Sequence, residues 1–407
     1  MTAPAEAAEA VGVLRTTAAV RTRSASLLDR ARAGDSAWFT VDDDALQQVA
    51  DTVATLTRSR FPDLDIPPHS RWRHFGVGGV DRTASLTARL DDMPAGDRAR
   101  AMIDLTVVSV LLDAGAGADW GFSEDGVRYR RSEGLAVASW HGFVDGAFSS
   151  APDHPLRVDA LALQALTVED LTAVLQVSPD NPLVGLPGRV KLMRSLGAAL
   201  AEQPEVFGPD GRPGGLFDAS SASSGVVDVH DLLVHLLTSL SRIWPSGNAI
   251  GAEALGDCWR HSAVEGPGET AGWLPLHKLS QWLTYSLIEP LQWAGVTVTG
   301  IDSLTGLPEY RNGGLLLDSG VLRLREPEWA EKAWTPRDEL VVEWRGLTVA
   351  LLDEIAPLVR ARLGVDQAAM PLACVLEGGT WAAGRESAQR LRGGLPPLNV
   401  VSDGTVF

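Results

Sequence analysis

Apolar residues recur every three or four positions over most of this chain, which is the spacing of amphipathic α-helices. One helix is predicted over residues 40–61, with Thr40 as its N-cap. Its apolar face consists of Leu46, Val49, Val53 and Leu56. Alternating stretches are short, as after the Asp-Gly pair at 125–126, where a β-hairpin is predicted. The pattern therefore predicts a mainly α fold with a few short β-hairpins, one of them across residues 315–325.

The organisation of the chain follows from where this pattern is missing. Residues 1–10 are Ala-rich and acidic and predict a disordered tail. Residues 11–407 contain no recognisable repeat or linker, so we expect one compact, mostly helical unit. No signal peptide and no run of roughly 18 apolar residues is recognisable. A cytoplasmic protein without a membrane span is the expectation.

Composition narrows the class of ligand. The 407 residues carry a formal net charge of -17, which disfavours binding to nucleic acid or to an anionic membrane. Cys258 and Cys374 form no disulfide or zinc motif, and no HExxH, GxSxG or dinucleotide-binding pattern occurs. We therefore expect a small-molecule ligand and neither a metal nor a cofactor. The oligomeric state stays open.

A polar stripe marks the helix predicted over residues 274–293. Lys278, Gln281, Tyr285 and Glu289 share one face at about 100° per residue, with Trp282 beside them. Such a stripe can be a solvated outer face or the wall of a ligand site. The amphipathic Trp and Tyr favour half-burial, so both interpretations stand. Pro290 is expected to end or kink the helix.

The segment after this helix concentrates chemical groups on four successive residues. Glu309, Tyr310, Arg311 and Asn312 lie between Pro308 and a glycine pair, which predicts either an ordinary surface turn or a carboxylate held by backbone constraint. A held carboxylate can activate water, and nearby cations can neutralise a phosphate. This combination suits cleavage at an anomeric carbon, among other hydrolyses.

Two further segments are candidates for anion binding. The stretch "PPHSRWRHF" concentrates His69, Arg71, Arg73 and His74 with Trp72, and either recognises an anion or packs a loop. The Gly-rich segment Gly378–Arg385 vaguely resembles a phosphate cradle but lacks the lysine and the spacing of a P-loop.

Several separated blocks resemble the uracil catabolism protein four family of fungi and bacteria, which belongs to a pathway that degrades uracil. The blocks are "FPDLDIPPHSRWRHF", "VSVLLDAGAGADW", "RSEGLAVAS", "HKLSQWLTYSLIEPL", "LTGLPEYRNGGLL" and the terminal "SDGTVF". The C-terminal third is similar, more distantly, to the queuosine-salvage nucleotide N-glycosylases, whose fold is related to that of DNA glycosylases. A DNA-glycosylase-like architecture is what this second resemblance implies.

The second resemblance rests on motifs in a fixed order. The family's Lys-x-x-Gln helix matches Lys278 and Gln281, and its Asp-Tyr-Arg motif matches Glu309, Tyr310 and Arg311, with glutamate in place of aspartate. A Gly-Val-Leu segment matches residues 319–324, and the Glu-Ile-Arg helix matches residues 343–345, with Trp344 in the middle.

Together the resemblances imply an N-glycosidase that cleaves the C1–N bond of a ribosylurea, expected as its 5-phosphate, to urea and a pentose phosphate. A pyrimidine nucleotide N-glycosylase and a non-catalytic protein that binds or scaffolds the intermediate are the alternatives. Glu309 is the expected catalytic residue, with the active-site elements within residues 266–350. The expected substrate-binding residues are Lys278, Gln281, Tyr285, Tyr310, Arg311, Asn312, Trp282, His69, Arg71 and Arg73.

Overall fold

The computed structural model of the chain describes residues 4–221 and 225–401 and confirms a mainly α fold. The helices are α1 Pro4–Leu14, α2 Thr17–Ala33, α3 Asp43–Arg60, α4 Arg71–Phe75, α5 Arg82–Arg89, α6 Ala95–Leu111, α7 Arg131–Val144, α8 Ala160–Ala165, α9 Val168–Val174, α10 Leu186–Ala201, α11 Pro204–Phe207, α12 Leu216–Ser221, α13 Val229–Leu240, α14 Lys278–Trp293, α15 Tyr310–Asp318, α16 Glu339–Leu363, α17 Leu372–Val375 and α18 Trp381–Arg392. A π-helical turn, Leu376–Thr380, joins the last two.

The strands are short and pair two by two. They are β1 Phe39–Val41, β2 Gly121–Glu124, β3 Val127–Arg130, β4 Val226–Asp228, β5 Ala249–Ile250, β6 Glu253–Ala254, β7 Cys258–Arg260, β8 Trp273–Pro275, β9 Thr297–Thr299, β10 Leu322–Leu324, β11 Ala333–Trp334 and β12 Asn399–Val400. The pairs β1–β10, β2–β3, β5–β6 and β7–β8 are antiparallel, and β4–β9 and β11–β12 are parallel. None of these two-stranded sheets forms a layer of the fold.

The described chain divides into two compact units, where the sequence had led us to expect one. The first unit comprises residues 4–69, 248–281 and 300–401, and the second comprises residues 70–247, without the gap, and 282–299. Each unit is assembled from segments distant in sequence, so no linker composition marks the division. Helix α14 contributes its first turn to the first unit and the remainder to the second.

The first unit is built around α16, a 25-residue helix that is buried along most of its length. Helices α2 and α3 pack against it. A side chain at Gly346 would lie 3.0 Å from Leu274 and 3.1 Å from Leu27, so this glycine lets neighbouring elements approach the helix closely.

Residues from Pro4 onward form α1 instead of the expected tail. Ala7, Ala10, Val11 and Leu14 are buried in one cluster, with Ile250, Leu255, Cys258 and Trp273 as its other members. The Ala-rich composition is therefore that of an amphipathic helix with small residues on its buried face. Residues 1–3 lie outside the described part of the chain.

The second unit is a helical assembly that includes α6, α7, α10 and α13. The hairpin predicted at the Asp-Gly pair is confirmed: β2 and β3 flank Asp125 and Gly126, both of which have positive φ (48° and 80°). Two positive φ values in a two-residue loop match the right-handed twist of the strands.

Two local predictions are wrong. Thr40 lies in strand β1, and the N-cap of α3 is Asp42, whose Oδ1 accepts the N–H groups of Asp44 and Ala45 at 3.1 Å each. The hairpin expected across residues 315–325 does not form, because β10 pairs with β1, a strand distant in the chain. In the described parts of the chain, no helix has the length and apolarity to cross a membrane.

Candidate functional site

Helix α15 begins in the segment for which the sequence predicted either a surface turn or a carboxylate held by the backbone. Glu309 is its N-cap: Oε2 accepts the N–H of Arg311 at 2.6 Å and Oε1 accepts the N–H of Asn312 at 2.7 Å. A carboxylate at this position satisfies backbone donors that have no partner within the helix and is stabilised by the helix dipole. The side chain of Glu309 is therefore held by the backbone, as the second expectation required.

The glycine pair lies inside α15, so its role is not that of a turn. A side chain at Gly313 would lie 2.7 Å from the ring of Trp344, whose Nε1 donates to the Gly313 carbonyl at 3.0 Å. A side chain at Gly384 would lie 2.1 Å from the Arg311 carbonyl. Helix α15 is thus packed tightly against α16 on one side and α18 on another, and the orientation of Glu309 follows from this packing.

The pKa of Glu309 lies above that of an ordinary glutamate. Burial of its carboxyl group raises the pKa, although the residue as a whole is only half-buried, and the hydrogen bonds from Arg311 and Asn312 and the positive charges of Lys278 and Arg311 offset this in part. A carboxyl group with a raised pKa can exchange protons nearer neutral pH, which is the property a general base or acid needs.

Lys278 is the first residue of α14 and is half-buried. Its backbone N–H donates to Asp257 Oδ2 at 2.9 Å. The residue before it, His277, is buried with a φ of 48°, a left-handed conformation that strains a non-glycine residue. The Nε2 of His277 lies 2.9 Å from the Leu14 carbonyl, so the ring is tied to the end of α1.

Gln281 is buried with its amide engaged inside the protein. Its Nε2 donates to the Leu276 carbonyl at 3.1 Å and to Thr305 Oγ1 at 2.6 Å, and its Oε1 accepts the N–H of Thr305 at 2.8 Å. Gln281 therefore ties the first turn of α14 to the segment that leads to Glu309. The polar stripe is not a solvated face, since Gln281, Tyr285 and Glu289 are all buried.

The other residues of the acid-Tyr-Arg motif differ in exposure. Tyr310 is half-buried, and the Arg311 guanidinium lies 5.2 Å from the centre of its ring. Arg311 is buried and donates from Nη1 to the Gly394 carbonyl at 3.3 Å. Asn312 is fully buried and donates from Nδ2 to the Leu307 carbonyl at 3.2 Å. Of the Lys-x-x-Gln and acid-Tyr-Arg motif positions, Lys278, Glu309 and Tyr310 are the half-buried ones.

A buried ion pair accompanies these residues. Arg345 of α16 meets Asp257 with two parallel hydrogen bonds of 2.8 Å, and both side chains are at most 5% exposed. Burial alone would raise the pKa of Asp257, but the Arg345 guanidinium and the hydrogen bonds from Trp259 and Lys278 outweigh it and lower the pKa. The Arg345 Nε also donates to the Pro308 carbonyl at 3.3 Å.

His69 belongs to the first unit, where its Nδ1 lies 2.8 Å from Glu377 Oε2 in the π-helical turn. Gly378 and Gly379, at the start of the segment Gly378–Arg385, lie within that turn, where a side chain would meet Thr57 at 3.0 Å and 2.6 Å. This packing favours a structural role for the two glycines over a phosphate cradle. These glycines allow α3 to approach. Helix α15 also contacts the π-helical turn.

Arg71, Arg73, Trp282 and Tyr285 belong to the second unit. Arg71 opens helix α4 rather than lying in a loop, is fully buried, and bonds Ser109 at 2.7 Å, Ser132 at 3.0 Å and Asp113 at 3.1 Å. Its guanidinium lies 5.4 Å from the Trp282 ring centre. Arg73 pairs with Glu289. These contacts favour the packing interpretation of this segment over anion recognition.

The part of the chain that the structure describes contains no group of three His, Cys, Asp or Glu side chains that could hold a metal ion. The candidate site brings a held carboxyl group, a half-buried lysine and a half-buried phenol into one unit.

Comparison with known proteins gives these positions a context. Residues 13–407 match the family described as "Protein of unknown function (DUF1688)". The chain belongs to this family. It is 40% identical to "Protein urg3" of Schizosaccharomyces pombe, over 98% of this chain and 99% of that protein. It is also 40% identical to "Uracil catabolism protein 4" of Lachancea kluyveri, over 84% of this chain and 85% of that protein.

The first resemblance drawn from the sequence is thereby confirmed. The resemblance to queuosine-salvage N-glycosylases stays a prediction, and the block "SDGTVF" lies outside the described residues. Sequence reasoning missed Asp257, Thr305 and Glu377 because each pairs with a residue distant in the chain. Arg345 was found only as a motif position, and nothing in the sequence indicated its partner.

Proposed function

We propose that this chain acts in the breakdown of uracil as an N-glycosidase, hydrolysing the C1–N bond of a ribosylurea 5-phosphate to urea and a pentose phosphate. The name "Uracil catabolism protein 4", carried by a relative 40% identical over most of both chains, supports the pathway. The observation that carries the reaction is Glu309, a carboxyl group held by two backbone N–H groups with a pKa raised by burial.

In this reaction Glu309 accepts a proton from the attacking water while the water oxygen bonds to the anomeric carbon. The electron pair of the breaking C1–N bond goes to the urea nitrogen, which takes up a proton from solvent water, so that urea leaves as a neutral molecule; Glu309 then returns its proton to solvent. The transition state carries positive charge on the sugar, and an ionised carboxylate close to it lowers the barrier.

The remaining polar groups divide into those that meet substrate and those that support them. Lys278, half-buried and close enough to influence the charge of Glu309, is assigned to the phosphate or a ribose hydroxyl. Tyr310, which is half-buried, is assigned to contact with the substrate. Gln281 engages both ends of its amide with protein groups, and Arg311 and Asn312 each donate to a backbone carbonyl, so their proposed role is to support these residues.

The test measures urea released from ribosylurea 5-phosphate and uracil released from uridine monophosphate by purified protein. Glu309→Gln is expected to lower kcat for urea release by about 10²–10⁴. Glu354→Gln is the control, because Glu354 lies on α16 in an ion pair with Arg32, partly exposed to solvent, and is expected to keep wild-type turnover.

Each alternative predicts a different result. Wild-type urea release by Glu309→Gln would make the assignment of the catalytic residue wrong. Release of uracil from the intact nucleotide, without hydrolysis of the ribosylurea, would replace the proposed substrate with a pyrimidine nucleotide. Saturable binding of the ribosylurea without turnover would indicate a non-catalytic binding protein.

A further inference from the structure

One buried ion pair is hydrogen-bonded to the backbone at both halves of the candidate site. We propose that Asp257 and Arg345 are positioning residues that hold Lys278 and Glu309 in one geometry. The inference rests on the proposed function for its kinetic consequence, but its structural consequence can be measured without substrate.

Asp257 holds the start of α14. Its carboxylate Oδ2 accepts the N–H of Lys278 at 2.9 Å, and its backbone carbonyl accepts the N–H groups of Leu276 at 3.0 Å and His277 at 2.9 Å. Three successive backbone donors therefore end on one residue. This arrangement also sustains the left-handed conformation of His277, which is unfavourable without such constraints.

Arg345 extends the pair to the start of α15. Nη1 and Nη2 each bond one oxygen of Asp257 at 2.8 Å, and Nε donates to the Pro308 carbonyl at 3.3 Å. Pro308 directly precedes Glu309. Because the guanidinium is a rigid planar fork, the direction of its Nε–H is set by the two bonds to Asp257. A lysine could keep the charge but not this three-point geometry.

Stability alone is a weak reason for such a pair, since a buried ion pair is often no more stabilising than apolar residues of similar volume. What distinguishes this ion pair is its remaining hydrogen bonds. Asp257 also accepts the backbone N–H of Lys278, and Arg345 also donates to the carbonyl of Pro308, the residue before Glu309.

The chain offers a matched control in its second unit. Arg82 is 1% exposed, as Arg345 is, and meets Glu124 with two hydrogen bonds. Its Nη1 donates to the carbonyls of Phe75 and Val77, at 2.9 Å and 3.0 Å. Arg82→Lys therefore removes an equally buried guanidinium that forms two hydrogen bonds with a carboxylate. It leaves the hydrogen bonds to the backbone at Lys278 and beside Glu309 in place.

The experiment compares Arg345→Lys with Arg82→Lys in the full-length protein, after circular dichroism has shown that both fold. Arg345→Lys is expected to lower kcat for urea release by roughly 10-fold to 10²-fold while KM changes little, because loss of positioning affects the reacting geometry. Titration of the Glu309 carboxyl carbon by ¹³C NMR, assigned by its loss in Glu309→Gln, is the second measurement. The pKa of Glu309 is expected to fall in Arg345→Lys as the loosened turn admits water, and to stay unchanged in Arg82→Lys.

The outcomes separate this inference from the proposed function. If Glu309→Gln keeps activity but the Glu309 titration moves only in Arg345→Lys, the glycosidase assignment fails and the positioning role stands. If a folded Arg345→Lys leaves the Glu309 titration unchanged, or if both lysine variants shift it equally, the positioning role is overturned. Asp257→Asn, which keeps an acceptor for Lys278 but loses one arm of the fork, provides the same measurement if Arg345→Lys does not fold.

Discussion

Two carboxyl groups of the first unit, Asp257 and Glu309, are held in opposite ways. Asp257 faces the Arg345 guanidinium through two bonds of 2.8 Å, and its pKa is lowered despite burial. Glu309 is held by two backbone N–H groups at the start of a helix, and burial raises its pKa. Both hydrogen-bond to groups at or beside the start of a helix, and Asp257 also forms an ion pair with Arg345.

The difference separates a supporting role from a chemical one. A carboxylate paired with arginine in the core stays ionised and keeps its neighbours in place, whereas a carboxyl group held by dipoles can gain and lose a proton.

Removing each carboxyl group is expected to cost very different amounts of stability. Asp257→Ala leaves the Arg345 guanidinium buried without its partner and should lower the free energy of unfolding by about 3–5 kcal/mol. Glu309→Ala removes an N-cap and should lower it by about 0.5–2 kcal/mol. Urea unfolding followed by circular dichroism measures both.

The double variant Asp257→Leu, Arg345→Met is the control for this prediction. It should recover most of the stability lost in Asp257→Ala, because no unpaired charge remains in the core. Equal losses in the two alanine variants would contradict the distinction drawn between the two carboxyl groups.

The packing that orients Glu309 is expected to be sensitive to a single methyl group. Gly384→Ala places a Cβ 2.1 Å from the Arg311 carbonyl, and the required backbone shift should cost about 1–3 kcal/mol. Gly12→Ala is the control, since a Cβ there meets no atom within 4 Å in α1; it should be neutral or stabilising by about 0.5–1 kcal/mol. Thermal unfolding of both variants measures the effect. An unchanged melting temperature in Gly384→Ala would mean that α15 and α18 are not closely packed in solution.

The smallest expected effect is on the pH dependence of stability. Because the pKa of Glu309 is raised above the ordinary value of 4.5, its contribution to stability is fully present below pH 4.5 and is lost as pH rises through its folded-state pKa. Glu309→Gln cannot lose that proton, so its stability relative to wild type should increase over this range. The altered N-cap adds an offset of about 1 kcal/mol that does not depend on pH. Unfolding curves for both proteins, measured from pH 4 to pH 8 on the order of one pH unit apart, check this trend. If the difference in unfolding free energy between the two proteins stayed constant over this range, the raised pKa of Glu309 would be contradicted.

Local patterns in the sequence predicted much of the secondary structure. The 3.6-residue period predicted a mainly α fold, and the Asp-Gly pair predicted the β2–β3 hairpin, because both signals are properties of neighbouring residues. Thr40 was predicted as the N-cap of α3 and Asp42 is the observed one; both residue types cap helices well, so the local sequence does not separate them. Only the pairing of β1 with β10 assigns Thr40 to a strand.

The candidate site shows the same limit. Glu309 was singled out from its sequence neighbours, and residues 310–312 do surround the start of one helix. A turn was one of the two interpretations of the glycines after it, because the ring of Trp344 that Gly313 accommodates is distant in the chain. Asp257 could not be found, since its partner Arg345 lies 88 residues away.

By itself the sequence determined the helical class, the family and the residue types that chemistry can use, because these depend on composition, period and order. The tertiary structure decided which acid is paired and which is held by backbone dipoles, and therefore which way each pKa moves. Burial and the position of a counter-charge govern a pKa, and both are set by segments that meet only after folding. The glutamate at the start of α15 was singled out by its sequence neighbours, and its surroundings in the fold make it an N-cap and a candidate base.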